Sequence, residues 1–386
     1  MRIAIITENF LPKLDGVTRT LAKLLEHLQQ TGHSVMLLGP DSGMEEYAGA
    51  EIVGTAGLPF PFYPELKFNF FRPLFMRRLD EFRPDIIHLV DPVILGTTGL
   101  AAARFFNVPL VSSYHTNLAA YCEHFGFSLL TRPMWSYNRF VHNQCAMTFC
   151  PSPSTAAMLR LEGFEHLRIW PRGVDTSVFT PERRSAELRA SWLGREAENK
   201  TVLLYVGRVS WEKNLRLLVQ AYRGMSHSNT HLVIVGEGPA SIEMQQELAD
   251  LSVTFTGYLT GEALATAYAS SDVFAFPSRT ETFGQVVLEA MASGLPVVGL
   301  VAEGVCDLVE NERTGFLVND SHIQEDEQII DYRVRLECLV QDAQKRREMS
   351  SVALIEAQRR SWFEAMECLI RGYKEVVEST TPLVAA

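Results

Sequence analysis

Apolar residues run along this chain in two rhythms. Short continuous stretches such as IAIITE (3–8), SVMLLGP (34–40), DIIHLV (85–90) and PLVSSYHT (109–116) have no polar face. A strand of that kind must be covered on both sides, as in a parallel sheet sandwiched by helices. Between the first two, VTRTLAKLLEHLQQTGH (17–33) lines up Val17, Leu21, Leu24, Leu25 and Leu28 on one helical stripe and stops at Gly32.

The pattern then restarts. TVLLYVGRVS (201–210), HLVIVGEGP (231–239), VTFTGYL (253–259), DVFAFPS (272–278) and LPVVGL (295–300) read as strands, with a helix over NLRLLVQAYRGM. Pro, Gly and charge interrupt the periodicity at WPRGVDTSVFTPERRS (170–185), which marks a joint. The expected fold is α/β: two Rossmann-like, doubly wound parallel-sheet domains facing each other across a cleft. Their expected bounds are 1–175 and 176–355, with a C-terminal helix in 356–386 that caps the second domain or crosses back to the first. Apolar residues from 353 to 378, including Trp362, Phe363, Met366, Leu369, Ile370 and Tyr373, are spaced to bury one face of a helix. SHIQEDEQIIDYRV reads as a solvated charge run.

At 386 residues, two domains are the default, and 47% hydrophobic with 21% charged residues is the composition of a globular enzyme. A net charge of −11 argues against nucleic acid as a partner. The six cysteines form no CxxC pair, so they read as buried thiols of a reducing compartment. The N-terminal apolar run is too short for a signal peptide, and no apolar run reaches 18 residues; a cytoplasmic protein is expected.

In parallel α/β sheets ligands gather at the carboxyl ends of strands. Four stretches lie there. In ENFLPKLDGVTRT, Asp15 and Gly16 precede a helix and serve either a phosphate or simple capping. In VGRVSWEKN, Arg208 and Lys213 suit a diphosphate, or else are solvated cations paired with Glu212. In TETFGQVVLEAMASG, Glu281 precedes a helix and Glu289 sits within it. Either they accept hydroxyls of a polyol, or Glu281 caps the helix and Glu289 is exposed. The small residues Ala290, Ala292, Ser293 and Gly294 beside Glu289 favour burial with a partner. Finally, His115 ends a strand in SSYHTNL, as a ligand or as a satisfied structural histidine. No GxGxxG is complete, since GEGPAS (236–241) has Ser at the third glycine position, which disfavours a nicotinamide dehydrogenase.

Taken together, TETFGQVVLEAMASGLPVV, VGRVSWEKN, YHT and RGVDTSVFTP resemble the retaining nucleotide-sugar glycosyltransferases of family 4, over residues 1 to about 320. Sulfoquinovosyltransferases and GDP-mannose-dependent α-mannosyltransferases look nearest, sharing RPMW, RGVD and YPE. The resemblance implies the GT-B fold and transfer of a mannosyl- or glucosyl-type hexose from a GDP- or UDP-sugar to a hydroxyl. It implies no metal and no further cofactor. By the same resemblance, Glu281 takes donor-sugar hydroxyls, and the amides of Phe283 and Gly284, after Thr282, meet the sugar or its phosphate. Glu289 holds the ribose, while Arg208 and Lys213 stabilise the departing diphosphate. Gly16 lies against that diphosphate, His115 faces the reacting sugar, and Tyr258-Leu259 is the nucleobase segment. Departures fall on the acceptor side: Asn117 stands where relatives carry a second His, and DGV replaces a double-Gly loop.

Residues 58–78 hold six Phe in sixteen positions, followed by Arg72, Arg77 and Arg78. They are either core, or a lipophilic-acceptor surface with peripheral membrane contact. Two rival functions are a GT-B nucleotide-sugar epimerase, which would turn over donor alone, and an inactive nucleotide-sugar binding module.

Overall fold

The computed structural model describes the chain except residues 13–15, 61–62, 70–71, 120–121, 123–126, 195–199, 320–323 and 381–386, with 58–60 and 63–69 described as backbone. Asp15, Phe70 and Phe71 therefore lie outside the described residues. The chain divides into two units, Met1–Arg172 with Trp362–Ala386, and Gly173–Ser361. The breaks fall at 172/173 and 361/362, where the sequence suggested 175/176 and 355/356.

In the first unit an eight-stranded sheet runs in the order β10-β9-β8-β7-β1-β2-β4-β3. Its strands are β1 (Arg2–Thr7), β2 (Ser34–Pro40), β3 (Glu46–Tyr47), β4 (Ala50–Thr55), β7 (Ile86–Val90), β8 (Leu110–Ser113), β9 (Met147–Cys150) and β10 (Leu167–Ile169). Only β3 is antiparallel to its neighbour. A separate hairpin pairs β5 (Gly57–Phe60) with β6 (Tyr63–Asn69). β1 is central, with Ile3 in register with both Val35 and Ile86.

Alternation along β1 shows why the strands are apolar throughout. Ile3 and Ile5 pack with Leu21, Leu24 and Leu28 of the helix Gly16–Gln30. Ala4 and Ile6 pack on the other face with Phe75, Leu79 and Leu100. The chain returns from the second unit for its last helix, Trp362–Thr380. Met366, Leu369, Ile370 and Tyr373 complete the Ile3 face, whereas Phe363, expected on the same face, is 60% exposed and touches only the His27 ring among aromatic contacts of the described residues.

The second unit has a six-stranded, all-parallel sheet in the order β13-β12-β11-β14-β15-β16. These are β11 (Thr201–Val206), β12 (Thr230–Val235), β13 (Val253–Gly257), β14 (Val273–Phe276), β15 (Val297–Leu300) and β16 (Gly315–Val318).

Two sequence expectations need correction. The charged stretch after residue 323 is the helix Glu325–Gln341, whose Tyr332, Leu336 and Leu339 are fully buried while its charges face outward. The tail is two helices, Ala343–Gln358 and Trp362–Thr380, rather than one from 353 to 378; they belong to different units. All six cysteines are free thiols. Among the described residues, no helix is long and apolar enough to cross a membrane.

Candidate active site

In the second unit, strand order reverses between β11 and β14, so their following loops diverge and open a crevice at the carboxyl edge. The loop after β11 carries Arg208 and Lys213, and the loop after β14 carries Glu281. Lys213 Nζ donates to Glu281 Oε1 at 2.7 Å, and Ser278 Oγ donates to the same oxygen at 2.9 Å. Both charged side chains of this pair are about four-fifths buried. Arg208 lies 3.9 Å from Glu212, the pairing that the sequence offered as its structural role. Beneath them Tyr205 donates its hydroxyl to the Arg208 carbonyl at 3.0 Å. Burial, with the charges of Glu281 and Glu212 nearby, pushes that phenol's pKa well up and keeps it a donor.

Gly284 caps the helix Gln285–Ala292 in the left-handed region, φ 86°. The N–H groups of that first turn lie outside the intrahelical ladder and point along the helix axis. The backbone of 281–283 is held against Gly304, where a Cβ would stand 2.7 Å from Phe283 N and 2.8 Å from Glu281 O. Gly304 also has φ 75°. Gly304→Ala must therefore push the Glu281 loop outward. We expect the KM of the substrate bound at this edge to rise about tenfold or more with the unit still folded, measured by steady-state kinetics beside circular dichroism.

Glu289 is 3% exposed, which rules out the solvent-facing reading. Tyr268, on the helix Gly261–Ala269, donates to its Oε2 at 3.2 Å. Phe283 is buried in the same core. Tyr258 is 55% exposed, beyond the end of β13. Leu259 instead lines an apolar recess of about 400 Å³ with Leu188, Trp192 and Ala263. A second recess, of about 330 Å³, opens at the ends of β12 and β13 and is lined by Gly236, Glu237, Gly238, Ser241, Gln245 and Gly257. The GEGPAS stretch that failed as a dinucleotide fingerprint thus forms a concave surface next to Tyr258.

In the first unit the strand order reverses between β1 and β7. Glu8, just past β1, accepts from the Val93 and Leu95 amides at 3.1 and 2.6 Å, capping the helix Ile94–Phe106 across that switch point. Gly16 opens its helix in an exposed position with no atom within 4 Å of where a Cβ would sit. His115 is buried, and both its ring nitrogens are engaged: Nε2 with Ser113 Oγ at 2.8 Å, Nδ1 with Arg172 Nη2 at 3.0 Å. Asp91 Oδ1 accepts the amides of His115 and Thr116. Burial, then the Arg172 charge, lowers the His115 pKa well below 6.5. Sequence reasoning passed over Asp91, His88, Arg172, Ser278, Tyr268 and Gly304. A histidine inside the apolar run DIIHLV and the arginine of RGVD were the available signals.

Comparison with known proteins now bears on these two edges. Residues 14–178 match Glycosyltransferase Family 4, and residues 190–353 match Glycosyl transferases group 1. A GDP-mannose-dependent alpha-mannosyltransferase of Corynebacterium glutamicum is 34% identical, over 98% of this chain and 89% of its own length. The chain belongs to glycosyltransferase family 4. The Sulfoquinovosyl transferase SQD2 of Arabidopsis thaliana is 33% identical to this family 4 enzyme, over 90% of the chain and 68% of that protein. Among solved structures, Anabaena Alr3699/HepE, in complex with UDP and glucose, superposes with a TM-score of 0.76. That match spans 97% of this chain and 100% of the other at 20% identity, a likeness of fold, and the fold of this glycosyltransferase is GT-B.

Proposed function

We propose that this glycosyltransferase is a retaining, metal-independent hexosyltransferase. It would move a mannosyl- or glucosyl-type residue from a nucleoside-diphosphate sugar to the hydroxyl of a lipid-like acceptor. The observation that carries the reading is the buried pairing of Lys213 with Glu281 at the switch point of the second unit's sheet, with Arg208 on the same loop as Lys213. Lys213 and Arg208 would exchange their carboxylate partners for the diphosphate oxygens as donor enters. Glu281 would then accept donor-sugar hydroxyls, with the first-turn amides near Phe283 and Gly284 beside it. Glu289, held by Tyr268, would take the ribose, and the recess at 236–241 the nucleoside.

The bond from the anomeric carbon to the phosphate oxygen breaks, and the bond from that carbon to the acceptor oxygen forms on the same face. The acceptor proton passes to the departing phosphate, which serves as the base. Cations aimed at the developing charge lower this barrier, so the two carboxylates act as binders rather than as a glycosidase acid and nucleophile. A lipid-like acceptor and peripheral membrane contact fit the helix Ser128–Asn143, where Leu129 is 91% exposed and Leu130, Phe140 and Arg132 lie outward. In the segment 58–78, Phe75 is core and Arg77 and Arg78 are paired with Glu81, while the side chains of its other phenylalanines lie outside the described residues.

Thermal-shift titration with GDP, UDP, ADP and their sugars tests the donor class. GDP-mannose comes first because the Corynebacterium relative is GDP-mannose-dependent. A bound nucleotide at a hundredfold excess over its Kd stabilises the fold by about 2.7 kcal/mol. A flat response to every nucleoside diphosphate would overturn the reading.

A further inference from the structure

A buried hydrogen-bond chain runs from the last helix to the strand end that carries His115. Tyr373 Oη lies 2.6 Å from His88 Nδ1, and His88 Nε2 lies 2.8 Å from Ser113 Oγ. Ser113 Oγ lies 2.8 Å from His115 Nε2, and Arg172 Nη2 closes the chain on His115 Nδ1. Tyr373, His88 and Ser113 are fully buried.

The direction of the protons follows from the chemistry of the ends. A guanidinium only donates, so His115 Nδ1 accepts and the neutral ring carries its proton on Nε2. Nε2–H then donates to Ser113 Oγ, which shares a further hydrogen bond with His88 Nε2. Tyr373 Oη closes on His88 Nδ1, so the buried His88 ring is held at both nitrogens.

We propose that Tyr373, His88 and Ser113 are positioning residues that act through His115, holding the ring by its Nε2–H in the orientation that turns Nδ1 to the Arg172 guanidinium and so seats that guanidinium. Arg172 is held between His115 and the Trp170 carbonyl, with its guanidinium 4.4 Å above the Trp170 ring. Burial holds the imidazoles neutral, His88 down to about 3 and His115 well below its usual value. A neutral His115 adds no repulsion where an anomeric carbon gains positive charge. A core needing only stability would fill this space with apolar groups, since a half-satisfied buried network costs more than none. The catalytic side of this proposal rests on the donor reading above, but the tautomer does not.

Two readouts separate them. In ¹⁵N-histidine-labelled protein without ligand, His115 should show one protonated nitrogen, Nε2, and one unprotonated, Nδ1. Tyr373→Phe removes the terminal hydroxyl, and Ser113→Ala removes the middle link and frees the His115 ring to reorient. Each should replace that pattern by averaged signals while the far-ultraviolet spectrum stays native. In the transfer assay the same variants should lose about tenfold in kcat, the rate equivalent of one hydrogen bond, at unchanged donor KM. An unaltered His115 pattern in both variants, or an altered pattern with full kcat, would overturn the proposal. A wild-type chain that transfers no sugar would sink the donor reading alone, and the ¹⁵N pattern would still decide whether the hydrogen-bond chain holds the His115 ring.

Discussion

Lys213→Ala should lower turnover by about 10²–10³-fold, the usual effect of removing one preorganised group from a developing anion. Two losses combine. On the proposed reading the diphosphate loses a charge that sits at the switch point, and Glu281 loses the ammonium that it faces at 2.7 Å, keeping Ser278. A largely buried carboxylate without its cation is costly, so the Glu281 loop should also loosen and donor KM rise. Lys213→Arg should rescue only part of kcat, because a planar fork replaces a compact charge. Arg208→Ala should lose rate comparably while disturbing stability less, since its ion pair with Glu212 is long and its side chain more exposed. Steady-state kinetics with purified variants of confirmed Tm would decide. Turnover within tenfold of wild type for Lys213→Ala would remove the ammonium from the mechanism.

Acidification should unfold the first unit before the second. Three of its histidines are buried and neutral: His88 and His142 are pushed down to about 3 by burial, and His115 well below 6.5 by burial and Arg172. Each has a folded pKa lower than its unfolded one. Above about 6.5 neither state is protonated, and the histidines leave stability unchanged. Below that, the unfolded chain binds protons the native unit refuses, so stability falls as pH drops toward the folded values. Each such histidine contributes a slope of about 1.4 kcal/mol per pH unit, or about 4 for the three together. Against a typical total of about 5–15 kcal/mol, that is enough to unfold the unit between about pH 6 and 4. In the second unit only His231, lowered to about 4, is shifted this way among the described residues. Urea unfolding from pH 8 to 4, followed by a fluorophore in each unit, would show it. Equal pH dependence in both units would contradict the account.

The parallel strands were readable because doubly covered strands cannot disguise their composition. SVMLLGP spans β2 residue for residue, and TVLLYV is β11. Edge and short strands escaped: β3, β4, β9, β10 and β16 mix exposed positions with buried ones or run only two to six residues. The helix Glu325–Gln341 escaped because its charges outnumber the few residues that dock it. Gln328, Tyr332, Leu336 and Leu339 follow helical spacing, but the stripe is narrow. Glu281 and Glu289 were legible as a pair through their motif, and the small residues beside Glu289 correctly implied its burial.

By itself the sequence determined the two parallel-sheet units, the residue types at the carboxyl ends of their strands and the family, because strand burial and loop chemistry are local properties. Only the tertiary structure decided who meets whom. Lys213 and Glu281 are 68 positions apart and pair because β11 lies beside β14 in the sheet. His88 and Tyr373 are 285 apart and meet because the last helix covers the first unit's sheet. Hydrogen bonds and ion pairs act over a few ångströms, and chain order says little about distances once strands cross over.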